Sequence, residues 1–158
     1  MSEVAGERPE VGSTAPGFTL PDQHGASITL SSLKGERAAL LVFYPFAFSG
    51  LCTGELTALR DNVESFQNDT VQLLAVSCDP VFSLRAWSDQ QGFTFPLLSD
   101  FWPHGQVSRA FGVFDEQLGR AGRGTFLVDR AGVVRWSVVN HPGEARDVDA
   151  YRAAVAAL

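Results

Sequence analysis

Cys52 lies where a cysteine can act as a nucleophile. The apolar run Ala38–Tyr44 is followed by Pro45 and a short loop, and Cys52 then falls in the first turn of a helix predicted over residues 50–67. Unpaired backbone N–H groups and the positive end of the helix dipole gather in such a first turn. Both favour the thiolate, which is the nucleophilic form of cysteine. The position of Cys52 therefore predicts a reactive thiol.

Three neighbours of Cys52 fit that chemistry. Ser49 is close enough in sequence to turn its hydroxyl toward the sulfur. Pro45 has no N–H and can wall the pocket without competing for hydrogen bonds, and Glu55, one turn further on, could hold a cation in place. Ser49, Pro45 and Cys52 also have purely structural interpretations. Ser49 could be a helix cap, Pro45 could end a strand, and Cys52 could be a buried apolar side chain of the core. Their combination at this spacing favours the functional interpretation.

The elements that position these residues follow from the apolar pattern. Continuous apolar runs predict buried strands, helical spacing predicts helices, and turn-rich segments between short apolar runs predict hairpins. In chain order these are a hairpin (18–20 and 27–30), a strand (38–44), a helix (50–67), a strand (71–77), a helix (81–91), an extended piece (95–98), a short helix (106–111), a hairpin (125–128 and 133–139) and a helix (147–158). A right-handed strand–helix–strand unit followed by a hairpin and a last helix is the thioredoxin-like arrangement. We therefore expect an α/β sandwich with a mixed central sheet and flanking helices.

Length and charge narrow the class of protein. A chain of 158 residues, 45 % of them hydrophobic and 19 % charged, has ordinary globular composition and can bury one substantial core. We predict a loose leader over residues 1–10 and a single domain over residues 11–158. The formal net charge of −6 argues against nucleic acid or membrane as a partner, because both attract basic surfaces.

The chain shows no sign of a targeting segment or of a metal site. Its first ten residues are polar and acidic, and no apolar run approaches the length of a bilayer. We therefore expect a cytoplasmic, reducing location, where two cysteines need not form a structural disulfide. There is no CxxC motif, and the histidines, at positions 24, 104 and 141, form no ligand pattern. We expect neither a metal nor another cofactor.

The stretch PFAFSGLC, from Pro45 to Cys52, resembles the peroxiredoxin active-site pattern Pro-x-x-x-Thr/Ser-x-x-Cys, with serine in place of the commoner threonine. The resemblance covers nearly the whole chain after the leader. Three further stretches carry it: VGSTAPGFTL (11–20), LSDFWPHGQVSRAFGVF (98–114) and RGTFLVDRAGVVR (123–135). The middle stretch and the segment around the cysteine are most similar to the AhpE class of one-cysteine peroxiredoxins.

This resemblance implies a thiol-dependent peroxidase. Cys52 would attack hydrogen peroxide, an organic hydroperoxide or peroxynitrite and become a sulfenic acid. Arg123, in the family's Arg-Gly-x-Phe context, would favour the thiolate and bind the peroxide, since arginine keeps its charge and presents several donors. Glu55 matches the family's carboxylate that orients this arginine. Ser49 O–H, the Cys52 backbone N–H and Arg123 would stabilise the charge that develops on the two oxygens.

The second cysteine leaves alternatives open. Resolving cysteines of two-cysteine peroxiredoxins lie five residues after the first or near the C-terminus, but position 57 is Thr and the last helix has no cysteine. The resemblance therefore implies a one-cysteine enzyme that is reduced by an external thiol or redoxin. Cys78, however, ends the strand over 71–77, and parallel strands would bring it to the same sheet edge as Cys52. It is a possible resolving cysteine of an atypical two-cysteine enzyme, or simply a partly buried thiol.

Two other classes of protein share this fold. A general thiol–disulfide oxidoreductase is disfavoured because the chain has no CxxC motif. A non-catalytic, thioredoxin-like redox-sensing module is disfavoured because the set of Pro45, Ser49, Cys52 and Arg123 is intact.

Aromatic residues accompany the predicted site: Phe46, Phe48, Phe101 and Trp102. We expect most of them to lie in the core. The resemblance also implies a homodimer formed across loops near the active site, and exposed aromatic patches commonly mark such contacts. Some of these four side chains would then lie in the dimer interface.

Overall fold

The computed structural model of the protein describes residues 4–5 and 7–158. The strands are β1 (Val4–Ala5), β2 (Thr19–Pro21), β3 (Ser27–Thr29), β4 (Ala38–Phe43), β5 (Val71–Ser77), β6 (Leu97–Ser99), β7 (Phe114–Asp115), β8 (Arg120–Ala121), β9 (Arg123–Val128) and β10 (Val134–Asn140). The α-helices are α1 (Gly50–Asp61), α2 (Val81–Gln91), α3 (Gln106–Ala110) and α4 (Val148–Ala156). Short 3-10 helices span Leu30–Leu33 and Val63–Ser65. None of the helices in this described part of the chain has the length and apolar character needed to cross a bilayer.

A five-stranded mixed sheet forms the centre of the molecule, in the order β10-β9-β4-β5-β6. Strands β4, β5 and β6 are parallel, whereas β9 runs antiparallel to β4 and β10 antiparallel to β9. Every residue of β4 and of β9 is buried, as expected of strands that are covered on both faces. The predicted α/β sandwich with a thioredoxin-like arrangement is confirmed.

The two faces of the sheet carry separate cores. Leu40 and Val42 of β4 point to the helix face, where side chains of α1, α2 and α4 pack. Leu41 and Phe43 point to the hairpin face, where side chains of the β2–β3 hairpin and of α3 pack. This alternation is the period of two that a strand imposes on its side chains. It decides which reactive groups can meet on one side of the sheet.

Two features of the fold differ from the sequence prediction. Helix α1 ends at Asp61 and not at residue 67, because the Asn62 side chain donates a hydrogen bond to the Ala58 carbonyl at 2.7 Å and the chain continues as a 3-10 turn. The apolar spacing nevertheless runs on to the fully buried Phe66, so the pattern did not mark the helix end. Strands β7 and β8 were not predicted, since a pair of two-residue strands has no periodicity to detect.

The predicted leader is described only in part. Strand β1, Val4–Ala5, pairs antiparallel with β7. Residues 1–3 and 6 lie outside the described residues. A loose leader over residues 1–10, followed by one domain over residues 11–158, therefore stays a prediction.

Candidate active site

Cys52 lies in the first turn of α1, as its sequence context predicts. Ser49 is the N-cap of this helix, and its Oγ accepts a hydrogen bond from Cys52 N at 3.1 Å. Such a cap satisfies one of the free N–H groups at a helix start and explains why α1 begins here. The Cys52 side chain packs on the helix face with 1 % exposure, and its thiol is free. The sulfur is thus a buried group at the positive end of a helix.

Arg123 opens β9 and reaches Glu55 of α1. Its Nε donates to Glu55 Oε1 at 3.2 Å, and its Nη2 donates to Glu55 Oε2 at 2.5 Å. Further bonds run from Nη1 to the His141 carbonyl at 2.9 Å and from Nη2 to the Glu144 carbonyl at 2.6 Å. Among the described residues, these bonds use all but one of the five N–H groups of the guanidinium. The second N–H of Nη1 is left for another acceptor.

Glu55 and Cys52 both raise the pKa of Arg123. The hydrogen bonds that Arg123 donates to Glu55 are the main reason that the pKa of Arg123 is raised, and a negative charge on Cys52 raises it further. The side chains of Arg123 and Glu55 are only 6 % and 8 % exposed, so water screens their attraction weakly. The Arg123 cation therefore lies where it can interact with a negative charge on Cys52.

Arg146 is a third charged member of the site, and the sequence did not indicate it. Its Nε lies 3.2 Å from Glu55 Oε1, and its side chain is 3 % exposed. Nη2 donates to the Phe43 carbonyl at 2.5 Å and Nη1 to Thr125 Oγ1 at 3.0 Å. Glu55 therefore holds two buried cations. Arg146 lies in the loop after β10, where no apolar period or motif would have pointed to it.

The loop over residues 45–49 connects β4 to the helix that carries Cys52. Pro45 opens this loop and is half-buried, and the loop ends at the cap residue Ser49. The Phe48 ring contacts Trp87 of α2, with 6.2 Å between the ring centroids. Tyr44, just before the loop, packs against the same tryptophan with 5.5 Å between the ring centroids, and burial keeps its hydroxyl neutral by raising the pKa of Tyr44. Trp87 therefore joins the loop to the aromatic residue at the end of the β4 segment.

Cys78 packs on the hairpin face and not on the helix face. Parallel pairing of β4 and β5 brings it to the predicted sheet edge, but its side chain belongs to the opposite core. Its Sγ lies 3.9 Å from Ser108 Oγ, and that hydroxyl donates to Asp100 at 2.8 Å. Burial, and secondarily the Asp100 carboxylate, raise the pKa of Cys78 to about 11. The thiol is therefore protonated at neutral pH, and the sheet lies between the two cysteines.

The aromatic residues near the site are on the surface. Phe46, Phe48, Phe101 and Trp102 are 42 %, 52 %, 47 % and 80 % exposed. The expectation that most of them would lie in the core is wrong. They follow the ends of β4 and β6, and beyond a strand end the alternation that buries side chains no longer applies.

The arrangement can bind a small molecule that carries oxygen and stabilise negative charge on it. Cys52 N–H is committed to Ser49, so the Ser49 hydroxyl hydrogen and the remaining N–H of Arg123 are the available donors. Within residues 4–5 and 7–158, no three His, Cys, Asp or Glu side chains come close enough together to hold a metal ion.

Comparison with known proteins gives consistent matches. Residues 11–137 match the AhpC/TSA family. Alkyl hydroperoxide reductase E of Mycobacterium tuberculosis is 53 % identical over 148 residues, which cover 94 % of this chain and 97 % of that protein. The chloroplastic 2-Cys peroxiredoxin BAS1 of Hordeum vulgare is 36 % identical over 89 % of this chain and 71 % of its own length. Among solved structures, peroxidoxin BcpB of Mycobacterium tuberculosis has a TM-score of 0.85 and 31 % identity, with 96 % of this chain and 99 % of that chain covered.

Proposed function

The chain belongs to the AhpC/TSA family of peroxiredoxins and is a thiol-dependent peroxidase, and we propose that Cys52 is the residue that reacts with the peroxide. The observation that carries this proposal is the meeting of three features on one face of the sheet. A free cysteine lies at the start of α1, its helix is capped by Ser49, and Glu55 of the same helix holds the Arg123 cation.

The reaction that these groups support is a displacement at oxygen. The Cys52 thiolate attacks one peroxide oxygen, an S–O bond forms, and the O–O bond breaks. With hydrogen peroxide or an organic hydroperoxide, the other oxygen takes a proton and leaves as water or an alcohol, and with peroxynitrite the leaving group is nitrite. The sulfur loses two electrons and becomes a sulfenic acid. Ser49 O–H and the free N–H of Arg123 stabilise the negative charge that moves onto the two oxygens. Pro45 shields the sulfur and adds no competing donor.

The substrate class follows from this chemistry and from the relatives. Hydrogen peroxide, organic hydroperoxides and peroxynitrite all carry an O–O bond that a thiolate can break. The name alkyl hydroperoxide reductase E of the Mycobacterium relative supports organic hydroperoxides among them.

We propose that an external thiol or redoxin, and not Cys78, reduces the sulfenic acid. A resolving thiol must reach the oxidised sulfur, and it attacks as a thiolate. Cys78 packs in the opposite core, and its raised pKa of about 11 keeps it protonated. The similarity to alkyl hydroperoxide reductase E supports the same one-cysteine interpretation.

We also propose a homodimer and a cytoplasmic location. Four exposed aromatic side chains follow the ends of β4 and β6: Phe46, Phe48, Phe101 and Trp102. Exposed aromatic side chains of this kind support an interface between two copies of the chain. The two free thiols are consistent with a reducing compartment.

Peroxide consumption by the reduced protein tests the proposed role of Cys52. Without added thiol, each subunit should consume about one peroxide, since one thiolate yields one sulfenic acid. Cys52→Ser should abolish this reaction, and the matched variant Cys78→Ser should retain it. Rapid consumption in Cys52→Ser would refute the assignment.

A further inference from the structure

The loop that leads from β4 into the helix of Cys52, residues 45–49, contains a strained residue. Phe48 has a φ of 69°, and among the residues that the structure describes it is the one non-glycine residue in the left-handed region. A bulky side chain adopts that conformation only where the surrounding contacts enforce it. The loop must therefore be held from outside.

Asp79 accepts the hydrogen bond that holds this loop. Ala47 N, next to Phe48, donates to Asp79 Oδ2 at 2.8 Å. Within the described part of the chain, no other hydrogen bond joins residues 45–48 to the central sheet. The carboxylate is charged, so this bond is stronger than one to a neutral acceptor.

Asp79 is itself fixed to the strand ends. It follows β5, and its Oδ2 also accepts a hydrogen bond from Ser77 Oγ at 2.7 Å. Its backbone carbonyl accepts one from Ser99 Oγ, at the end of β6, at 2.6 Å. The carboxylate therefore has a defined position from which it can hold the loop.

We propose that Asp79 is a positioning residue for the peroxidase reaction. Its carboxylate accepts the hydrogen bond from Ala47 and so keeps Phe48 in the left-handed conformation. The loop over residues 45–49 is thereby fixed relative to the helix that carries Cys52. The same loop ends at Ser49, so the contact also fixes the Ser49 hydroxyl relative to the sulfur. This inference rests on the proposed reactivity of Cys52.

Substitutions at Asp79 separate this role from a general effect on folding. Asp79→Ala removes the acceptor, and Asp79→Ser is a second loss variant whose side chain is too short to reach Ala47. Asp79→Asn keeps an amide oxygen that can accept from Ala47 N. Asp89→Ala is the matched control, because it makes the same change at an exposed aspartate of α2.

Two measurements on the reduced protein read out the effect. Hydrogen exchange of the Ala47 amide, followed by NMR, reports whether the loop is held, and single-turnover peroxide consumption reports the reaction. In Asp79→Ala and Asp79→Ser we expect exchange to be at least about tenfold faster and the reaction about tenfold slower, as for the loss of one hydrogen bond to a charged acceptor. Asp79→Asn and Asp89→Ala should stay close to wild type in both.

Several results would overturn the proposal. One is unchanged Ala47 exchange in both loss variants, and another is faster exchange with an unchanged reaction rate. A slow reaction that Asp79→Asn does not restore would also contradict it. Failure of the proposed function looks different: Cys52→Ser would still consume peroxide, while Ala47 exchange in the loss variants would still accelerate.

Discussion

The two cysteines of this protein lie at the same edge of the sheet and have opposite surroundings. Cys52 starts a helix on the helix face, on the side of the Arg123 cation and its partner Glu55. Cys78 ends a strand on the hairpin face, where its charged neighbour is the Asp100 carboxylate. Both thiols are buried and free. Burial therefore does not distinguish them, whereas the sign of the nearby charge does.

The comparison shows how the fold assigns different chemistry to identical side chains. A cation and a helix start favour the thiolate, and an anion in an apolar core favours the thiol. Because successive residues of β4 point to opposite cores, a group on one face has little influence on the other. Substitutions of Arg123, Glu55, Asp100 and Cys78 therefore test the difference between the two faces.

The largest effect is expected for Arg123→Ala. This change removes the proposed donor to the peroxide and a cation on the Cys52 side of the sheet, so the reaction of reduced protein with peroxide should slow about a hundredfold. Folding should survive, because Glu55 keeps its second cation, Arg146. The matched control is Arg130→Ala, since the exposed Arg130 side chain donates to the Gly35 carbonyl and to no other described residue. A rate for Arg123→Ala within about threefold of the control would remove this residue from the site.

A smaller effect on the peroxide reaction is expected when the buried carboxylate on one face of the sheet, Glu55 or Asp100, is replaced by an amide. Glu55→Gln leaves two buried cations, Arg123 and Arg146, without their anion, so the free energy of unfolding should fall by about 3 kcal/mol. The peroxide reaction should slow about tenfold, because Arg123 loses the bonds that orient it. Asp100→Asn is the counterpart beside Cys78. It should lower the pKa of Cys78 and leave the peroxide rate within about twofold of wild type.

Equal slowing in the two variants would contradict the separation of the faces. Stopped-flow measurement of peroxide consumption gives the rates, and urea unfolding gives the free energies. Both variants retain the shape of the side chain and replace one acceptor oxygen by an amide group, so the two carboxylates are perturbed in the same way.

A still smaller effect concerns stability at high pH. Cys78 has its pKa raised from 9.0 to about 11 in the folded protein, so the folded state binds this proton more tightly than the unfolded state. The resulting stabilisation is complete below pH 9 and is lost as the pH rises through about 11. Over that range the free energy of unfolding of wild type should fall by about 2 kcal/mol more than that of Cys78→Ala.

Urea unfolding at several pH values measures this difference. Other groups that titrate at high pH are present in both proteins and cancel. Parallel curves for wild type and Cys78→Ala would mean that Cys78 is not held as a protonated thiol.

The sequence predicted most of the fold and the core of the site, for identifiable reasons. The strands Ala38–Phe43 and Val71–Ser77 are buried on both faces and therefore have continuous apolar sequences. Cys52 could be placed in a first turn because the end of β4 and the apolar spacing of α1 both locate the helix start. Arg123 was identified from its resemblance to a family motif and not from any local pattern.

The remaining parts of the site depend on contacts between distant segments. Arg146 and Asp79 lie in loops, and their partners, Glu55 and Ala47, are far away in sequence. No spacing rule predicts such pairs. The sequence indicated Cys78 as a candidate site residue, yet its neighbour Asp79 is the one that contacts the loop over residues 45–49. The face on which Cys78 packs also depends on tertiary structure, as does the exposure of the loop aromatics.

The most direct test of the assignment is the intact mass of the reduced protein after one equivalent of peroxide, with a sulfenic-acid trap present. A single trapped adduct, located on Cys52 by peptide mapping and formed equally in Cys78→Ser, is the expected result. A loss of two hydrogen atoms without any adduct would instead indicate a disulfide. If that loss disappeared in Cys78→Ser, Cys78 would be the resolving cysteine and the proposed division between the two faces would be wrong.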